Sequence, residues 1–538
     1  MVYFKRAIAA SLACLMLAGC AGSDTSDSSK NSSSSNNSNE STGNSDNAVP
    51  EGAGNEVPLL EIETVSKESN AMDFITKPIN GYVAKSIASW TPGFKIPDEP
   101  YYEACTVKLT DTNGTVALDN AAAQIKVRGN WTTKNAKKPL RIKFDEKQSM
   151  LSLNDGAQMK NWILLAEYKD ISMLRNKTAF QIANELFADD GLYSADSQFV
   201  EVSVNGQYWG MYLLTEQQQV NKNRINITEP EEGYAGTDIG YFLEFDGYYD
   251  LEEKLNQFLV NYHNNDPLTP YDGKGGSGKS IGPLKSKNRP NNDLTGFTIK
   301  SDIYSQEQHD FIASYMNNVY NIMYEAAYNN KAFVFNDSYT EISETSSITP
   351  EEAVRNVVDV NSLADAYILA ELACDADLYW SSFFMDVDFG EGGSKKLVFE
   401  APWDYDSAFG LKNRCVSAEG FYASNMLYDV NDKYLAVNPW LVVLMYQDWY
   451  TDIIKEKWTA AYDSGVFTRA SEMIEKDTSE LSAAFERNYD RWDNLRHNDD
   501  SGEWNRYVSA CKTHSDAAQQ LNDWLKKRVE FMNNSWHK

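Results

Sequence analysis

The residues best suited to chemistry in this chain are carboxylates at short spacing. In "ELACDADLYWSSFFMDVDFGEGGSKKLVFEAPWDYDSAFG", Ser382 follows Asp377 by five positions, and Asp404 and Asp406 stand two apart. Phosphoryl transfer uses such a set: carboxylates hold a divalent cation against phosphate oxygens, and one more orients or deprotonates the acceptor. The flanking pattern predicts a helix that ends near Cys374, a loop carrying Asp377, and two short strands, "FFMDV" and "KLVFEA", joined by "GEGGS" and ending at Asp404. The other reading of Asp404 and Asp406 is as turn and helix-capping carboxylates, which are common at strand ends.

Opposite charge lies upstream, in "IKVRGNWTTKNAKKPLRIKF". Lys126, Arg128, Lys134, Lys137, Lys138, Arg141 and Lys143 crowd two predicted strands and their connection, inside a chain whose net charge is −29. Leu140, Ile142 and Phe144 alternate with Arg141 and Lys143, so the two cations share the face opposite the apolar one. That face could meet nucleotide phosphates, with Glu185 on the following helix as a partner for Lys143. It could equally be a solvated edge strand protected by its charges.

A more familiar phosphate motif is a decoy. "GKGGSGKS" has the spacing G-x-x-x-x-G-K-S from Gly273 to Ser280, yet such a loop works only between an arriving strand and a departing helix. Two prolines precede it in "NNDPLTP", and Pro283 and Pro290 follow. The segment from about 250 to 295 therefore reads as an insertion with little fold of its own.

The five histidines show no H-E-x-x-H spacing, and Cys105, Cys374, Cys415 and Cys511 form no C-x-x-C pair, which argues against zinc. Nucleic acid is an unsuitable partner for so acidic a chain. The 538 residues, 42% hydrophobic and 12% aromatic, can bury a large core. "MVYFKRAIAASLACLMLAGC" has a basic start, an apolar run and Leu-Ala-Gly-Cys ending at Cys20, the form of a bacterial lipoprotein signal with Cys20 acylated. A Ser/Asn-rich tether follows to about residue 57. The expectation is an extracytoplasmic, lipid-anchored monomer.

Beyond the tether, short alternating segments up to Phe144, a helix after Ser172, a hairpin turning at Asn205-Gly206 and a strand "GYFLEFD" make a β-rich half. A helix capped by Ser305 and Gln308, another over 362–373, and helical stripes beyond Asp406 make a mainly helical second half. The class is α+β, with one unit from 58 to 430 and a helical region from 431 to 538 packed on it.

Four blocks, "VRGNWTTKNAKKPLRIKF", "NWILLAEYKDISMLRNKTAFQIANEL", "FVEVSVNGQYWGMYLLTEQ" and "PWDYDSAFG", resemble in order the CotH kinase family, named for spore-coat protein H. The resemblance implies an atypical protein-kinase-like fold and Mg²⁺- or Mn²⁺-dependent transfer of the ATP γ-phosphate to Ser or Thr of an exported or cell-surface protein. It implies Asp377 as the catalytic-loop carboxylate, Lys143 as a catalytic and nucleotide-binding residue, and Asp404 and Asp406 as metal ligands. Ser382 stands where protein kinases carry a metal-binding Asn. Arg128, Lys138, Arg141 and Glu185 complete the expected nucleotide site. The competing expectation is a kinase-like pseudoenzyme or surface module that binds cell-wall polymer or polysaccharide through aromatics such as Trp209, Trp380 and Trp403.

Overall fold

The computed structural model describes residues 47–65, 101–129, 135–273, 295–375, 377–379, 381–413, 416–425, 438–495 and 504–538, together with Ala88, Pro92, Gly93, Thr132, 427–428 and 435–436. Cys20, Lys134, Lys279, Trp380 and Cys415 lie outside them.

The alternating segments of the first half close into a barrel. Its strands are β1 (Leu59–Thr64), β2 (Glu103–Thr110), β3 (Val116–Val127), β4 (Leu140–Gln148), β5 (Met159–Leu165), β6 (Ser197–Val204) and β7 (Gln207–Glu216), in the order β1-β2-β3-β4-β5-β7-β6. Neighbours are antiparallel except where β1 meets β6 in parallel, Leu60 opposite Val202, and seals the cylinder. Closure satisfies strand edges that would otherwise invite pairing with other chains. Leu60, Val107, Ile125, Ile142, Trp162 and Val202 fill the inside. Asn205 and Gly206 both adopt positive φ, as a tight two-residue hairpin demands.

The barrel is not symmetric in its surroundings. On β6 and β7 the outward residues Phe199, Met211 and Leu213 are also buried, in a second and larger core shared with α1 (Arg175–Phe187). On β4 the outward residues remain polar. Against the buried side stands a four-stranded sheet built from β8 (Gly240–Asp246), β9 (Gln257–Phe258), β10 (Gly296–Ile299) and, after the hairpin β11 (Ala332–Phe335) and β12 (Ile342–Thr345), β13 (Phe383–Asp388). Its order is β13-β8-β10-β9. Around it lie α2 (Gln306–Asn329), which starts at the Ser305–Gln308 capping box, α3 (Pro350–Val357) and α4 (Val360–Ala373). The chain ends in α5 (Asp448–Asp463), α6 (Val466–Glu480), α7 (Ser482–Trp492) and α8 (His514–Trp536).

The α+β class and the β-rich then helical order are as the sequence predicts; the barrel closure is an addition. Three details differ. "KLVFEA" forms no strand, only bridges: Leu397 meets Val358, and Val398 meets Asp386 on the edge of β13 opposite β8. Order begins before Pro58: Ala48 bridges Gln207, Gly54 N–H donates to Glu201 at 2.8 Å, and Glu56 pairs with Arg487. Within the insertion, residues up to 273 supply β9 and bury Val260, Tyr262 and Leu268. Among the described residues no helix is long and apolar enough to cross a membrane.

The last helix binds the two halves together. Along its first four turns, His514 meets Ser172, Gln520 meets Arg175, Trp524 packs on Phe409, and Arg528 pairs with Glu371. His514 is stacked on Phe485 with ring centroids 3.6 Å apart and donates from Nε2 to the Ser172 carbonyl at 2.8 Å. Burial pushes its imidazole down to about 4, outweighing the Ser172 bond and the nearby Asp170. A base whose folded value lies below its unfolded value of 6.5 stabilises the fold fully above pH 6.5 and loses that contribution as pH falls toward 4. The unfolding free energy of the parent minus that of His514→Gln is therefore expected to fall by about 3 kcal/mol between pH 7 and pH 4. Urea melts of both proteins across that range check it.

Candidate functional site

The segment that follows "KLVFEA" is held in an uncommon conformation. Ala401, Asp404 and Phe409 all sit at positive φ (60°, 70° and 47°), as does Ser382 (61°) across from them. Each such non-glycine residue costs on the order of 1–3 kcal/mol and persists only where its surroundings fix it. The fixing bonds are present. Gln218 Nε2 donates to the Ala401 carbonyl at 2.6 Å, and the Tyr405 N–H donates to Asn176 Oδ1 at 2.7 Å. Arg175 Nε donates to Ala408 O at 3.1 Å, and Phe409 N–H reaches Ala373 O at 2.7 Å. At Gly410 (φ 74°) a Cβ would lie 2.5 Å from Trp524, so only glycine lets α8 close on the turn.

This turn brings Asp404 and Asp406 beside the Asp377 loop. Burial, then the charges of Asp406 and Asp377, hold the Asp404 carboxyl well above the usual carboxylate range, with Arg128 opposing. Burial and Asp377 push Asp406 up to about 6, with Lys412 opposing. Glu167 is raised as well, by burial and by Asp170 and Asp406. Ser382 ties the two sides: its N–H donates to Glu244 Oε1 at 3.0 Å and its hydroxyl lies 3.5 Å from Asp404 Oδ2. Asp377 donates its own N–H to Asp375 Oδ1 at 2.9 Å. All the donors offered are hard oxygens. Among the described residues no three His, Cys, Asp or Glu side chains stand close enough to cage an ion by themselves.

Cations line the barrel side. Arg128, at the end of β3, lies over the Trp403 ring at 5.4 Å and within electrostatic reach of Asp404 and Glu244. Burial lowers its pKa. Next to it a cavity of about 180 Å³ opens between barrel and second sheet, lined by Arg141, Asn161, Gln217 and Gln219 on one wall and Lys300 and Ser301 on the other. Lys300 pairs with Glu244 at 3.0 Å, so the cavity borders the Ser382–Asp404 contact. Arg141 Nη2 donates to Asn161 at 3.0 Å, while its buried Nε and the buried Oε1 of Gln217 have no hydrogen-bond partner among the described residues.

A family model described as CotH kinase protein matches residues 125–532, most of the chain. The chain belongs to the CotH kinase family. No curated protein matches it. The matched span runs from β3 nearly to the end of α8, so it includes the barrel wall with Arg128, both Asp loops and the helix that clamps them.

Within this family member the expected residues fall into two groups. Arg128, Asp377, Ser382, Asp404 and Asp406 converge, and Arg141 stands at the adjoining cavity. Lys143 is exposed on the outer face of β4, and Lys138 turns its ammonium to the Asn135 carbonyl at 2.6 Å. Glu185 does not meet Lys143; it lies on α1 and binds Arg469 of α6. Position decides this, because Glu185 sits where α1 packs on α6, away from the outer face of β4. Sequence reasoning missed Glu167, Asn176, Glu244 and Lys300. Two had a signal: Glu244 inside the apolar strand "GYFLEFD" and Glu167 after "WILLA" are acidic residues in apolar runs, which are rarely buried without a purpose.

Lys137, from the basic loop, is fully buried under Asn488, to which it donates at 2.9 Å, and it also binds the Ala166 and Met211 carbonyls. Arg175 is equally buried and pairs with Asp170. Arg175→Met would leave Asp170 buried without its cation, and is expected to cost about 3–5 kcal/mol of stability. Glu185→Ala, which breaks an exposed pair, should cost less than about 1 kcal/mol. Denaturant melts of the two variants side by side check the contrast.

Proposed function

We propose that this protein is an ATP-dependent, Mg²⁺-assisted phosphotransferase that modifies Ser or Thr of exported or cell-surface proteins, working outside the membrane on a lipid anchor at Cys20. The observation that carries the reading is the one-sided charge of the cleft: Asp377 raises the proton affinity of both Asp404 and Asp406, and Asp406 raises that of Asp404 further, with Arg128 and Lys412 the opposing cations. A site of this kind gains most from a divalent cation and a nucleotide polyphosphate bound together.

The donor set fits Mg²⁺ or Mn²⁺, which favour oxygen ligands and usually keep only one or two carboxylates, completing their shell with phosphates and water. Asp404 and Asp406 would hold the ion, with the Ser382 hydroxyl beside Asp404. When bound, it supplies neutralisation of the phosphate charge and alignment of the transferred group. Arg128 and Arg141 would draw phosphate oxygens to the barrel wall, and the cavity beside them would take the remainder of the nucleotide. Asp377 would orient the acceptor hydroxyl and take up its proton as the new O–P bond forms and the bond to the ADP oxygen breaks. The lipobox ending at Cys20 supports the anchor, and the acidity of the chain supports a protein acceptor over nucleic acid.

Asp404→Asn and Asp406→Asn remove charge and keep shape, and Asn tolerates positive φ as Asp does. Both are expected to abolish Mg²⁺-dependent transfer of labelled γ-phosphate to a surface-protein extract while the melting temperature holds. Asp377→Asn should still bind MgATP yet transfer about 10²–10⁴-fold more slowly. Three variants that transfer like the parent would overturn the reading. A parent that ignores MgATP and binds wall polymer or glycan would put the surface-module reading in its place.

A further inference from the structure

The peptide between Asp404 and Tyr405 has an unusual anchor. Asn176, at the second position of α1, is 3% exposed and spends both ends of its amide across the site. Its Oδ1 accepts from Tyr405 N–H at 2.7 Å, and its Nδ2 donates to both oxygens of Glu167, at 3.0 and 3.2 Å. Glu167, itself buried and at φ 49°, thereby fixes which way the amide faces. The donor side of Asn176 has no other orientation that satisfies the carboxylate.

We infer that Asn176 is a positioning residue for the Asp404 and Asp406 carboxylates, acting through the backbone N–H that lies between them. The two side chains leave the chain on either side of Tyr405, whose ring is buried. A rotation of the Asp404–Tyr405 peptide would therefore swing both carboxylates relative to each other. Asp404 is already in a left-handed conformation that an extended chain would abandon. The neighbouring Arg175 bond to the Ala408 carbonyl holds the far end of the same turn, so consecutive residues at the start of α1 grip it at two points. Because Asn176 offers no charge and stands behind the backbone, it touches neither phosphate nor acceptor in this account. Its contribution is geometry.

The inference rests on the phosphotransferase reading, and the test separates the two. Mn²⁺ affinity in the presence of ATP is measured by calorimetry for the full chain, for Asn176→Ala and for Thr178→Ala. Thr178→Ala is the control: it loses a buried hydroxyl bond to Leu174 O at 2.8 Å on the same helix and is hydrogen-bonded to neither Glu167 nor Tyr405. Asn176→Ala is expected to weaken Mn²⁺ binding by about tenfold or more, in keeping with losses seen when outer partners of metal ligands are removed, while Thr178→Ala binds as the parent does. Should Asn176→Ala not fold, Asn176→Ser takes its place, since its short side chain cannot span Glu167 and Tyr405, and the same weakening is expected. Parent-like Mn²⁺ affinity in the Asn176 variant, or equal weakening in the control, overturns the positioning role and leaves the phosphotransferase reading standing. A parent that binds no Mn²⁺ with ATP overturns both.

Discussion

A turn that gathers more negative charge than it can neutralise governs this structure. Asp377, Asp404, Glu167 and Asp170 all lie within electrostatic reach of Asp406, and a chain left to itself would separate them. They stay together because the turn is held from behind. Asn176 and Arg175 grip it from the start of α1, Ala373 receives the Phe409 N–H at the end of α4, and Trp524 of α8 closes over Gly410. Backbone strain and like charge thus meet at the same turn, where function most often stores them.

The elements that impose this arrangement come from both halves of the chain. The barrel gives Arg128 and Arg141 a rigid wall, and its asymmetric burial matters here: β6 and β7 face the second core, whereas β4 leaves a polar face toward the cavity. The second sheet supplies Glu244 and Lys300, whose pairing braces Ser382. Fully buried ion pairs, Arg528 with Glu371 and Arg175 with Asp170, tie α8 and the turn to the helices behind them. Such pairs contribute little net stability against apolar substitutes, but breaking one side is costly, so they hold registration. Membership of the CotH kinase family covers nearly all of these parts.

Much of this was legible in sequence where a signal is local. Turn chemistry at Asn205-Gly206, the Ser305–Gln308 cap and the alternation in β4 specify their elements because the responsible residues are neighbours. Asp377, Asp404 and Asp406 stood out by their spacing, and the structure brings the three within electrostatic reach of one another. Barrel closure was not, since it depends on β1 meeting β6 across some 140 residues. Nor was the fate of the basic stretch: seven cations within twenty residues look alike in sequence, yet Arg128 faces the turn, Lys137 is buried under α7, and Lys143 is exposed. Glu185 was a reasonable partner by composition and a wrong neighbour by packing. Asn176 carries no sequence signal of its own, because its role depends on two bonds made in opposite directions across the fold.

The central claim is that the cleft accepts a nucleotide only together with a divalent cation, because its carboxylates repel polyphosphate otherwise. Calorimetric titration of the full chain with ATP, with Mg²⁺ present and with chelator in its place, tests this most directly. The account predicts saturable ATP binding with Mg²⁺ and a loss of affinity of at least about tenfold without it. Equal ATP affinity in both conditions, or none in either, would contradict it.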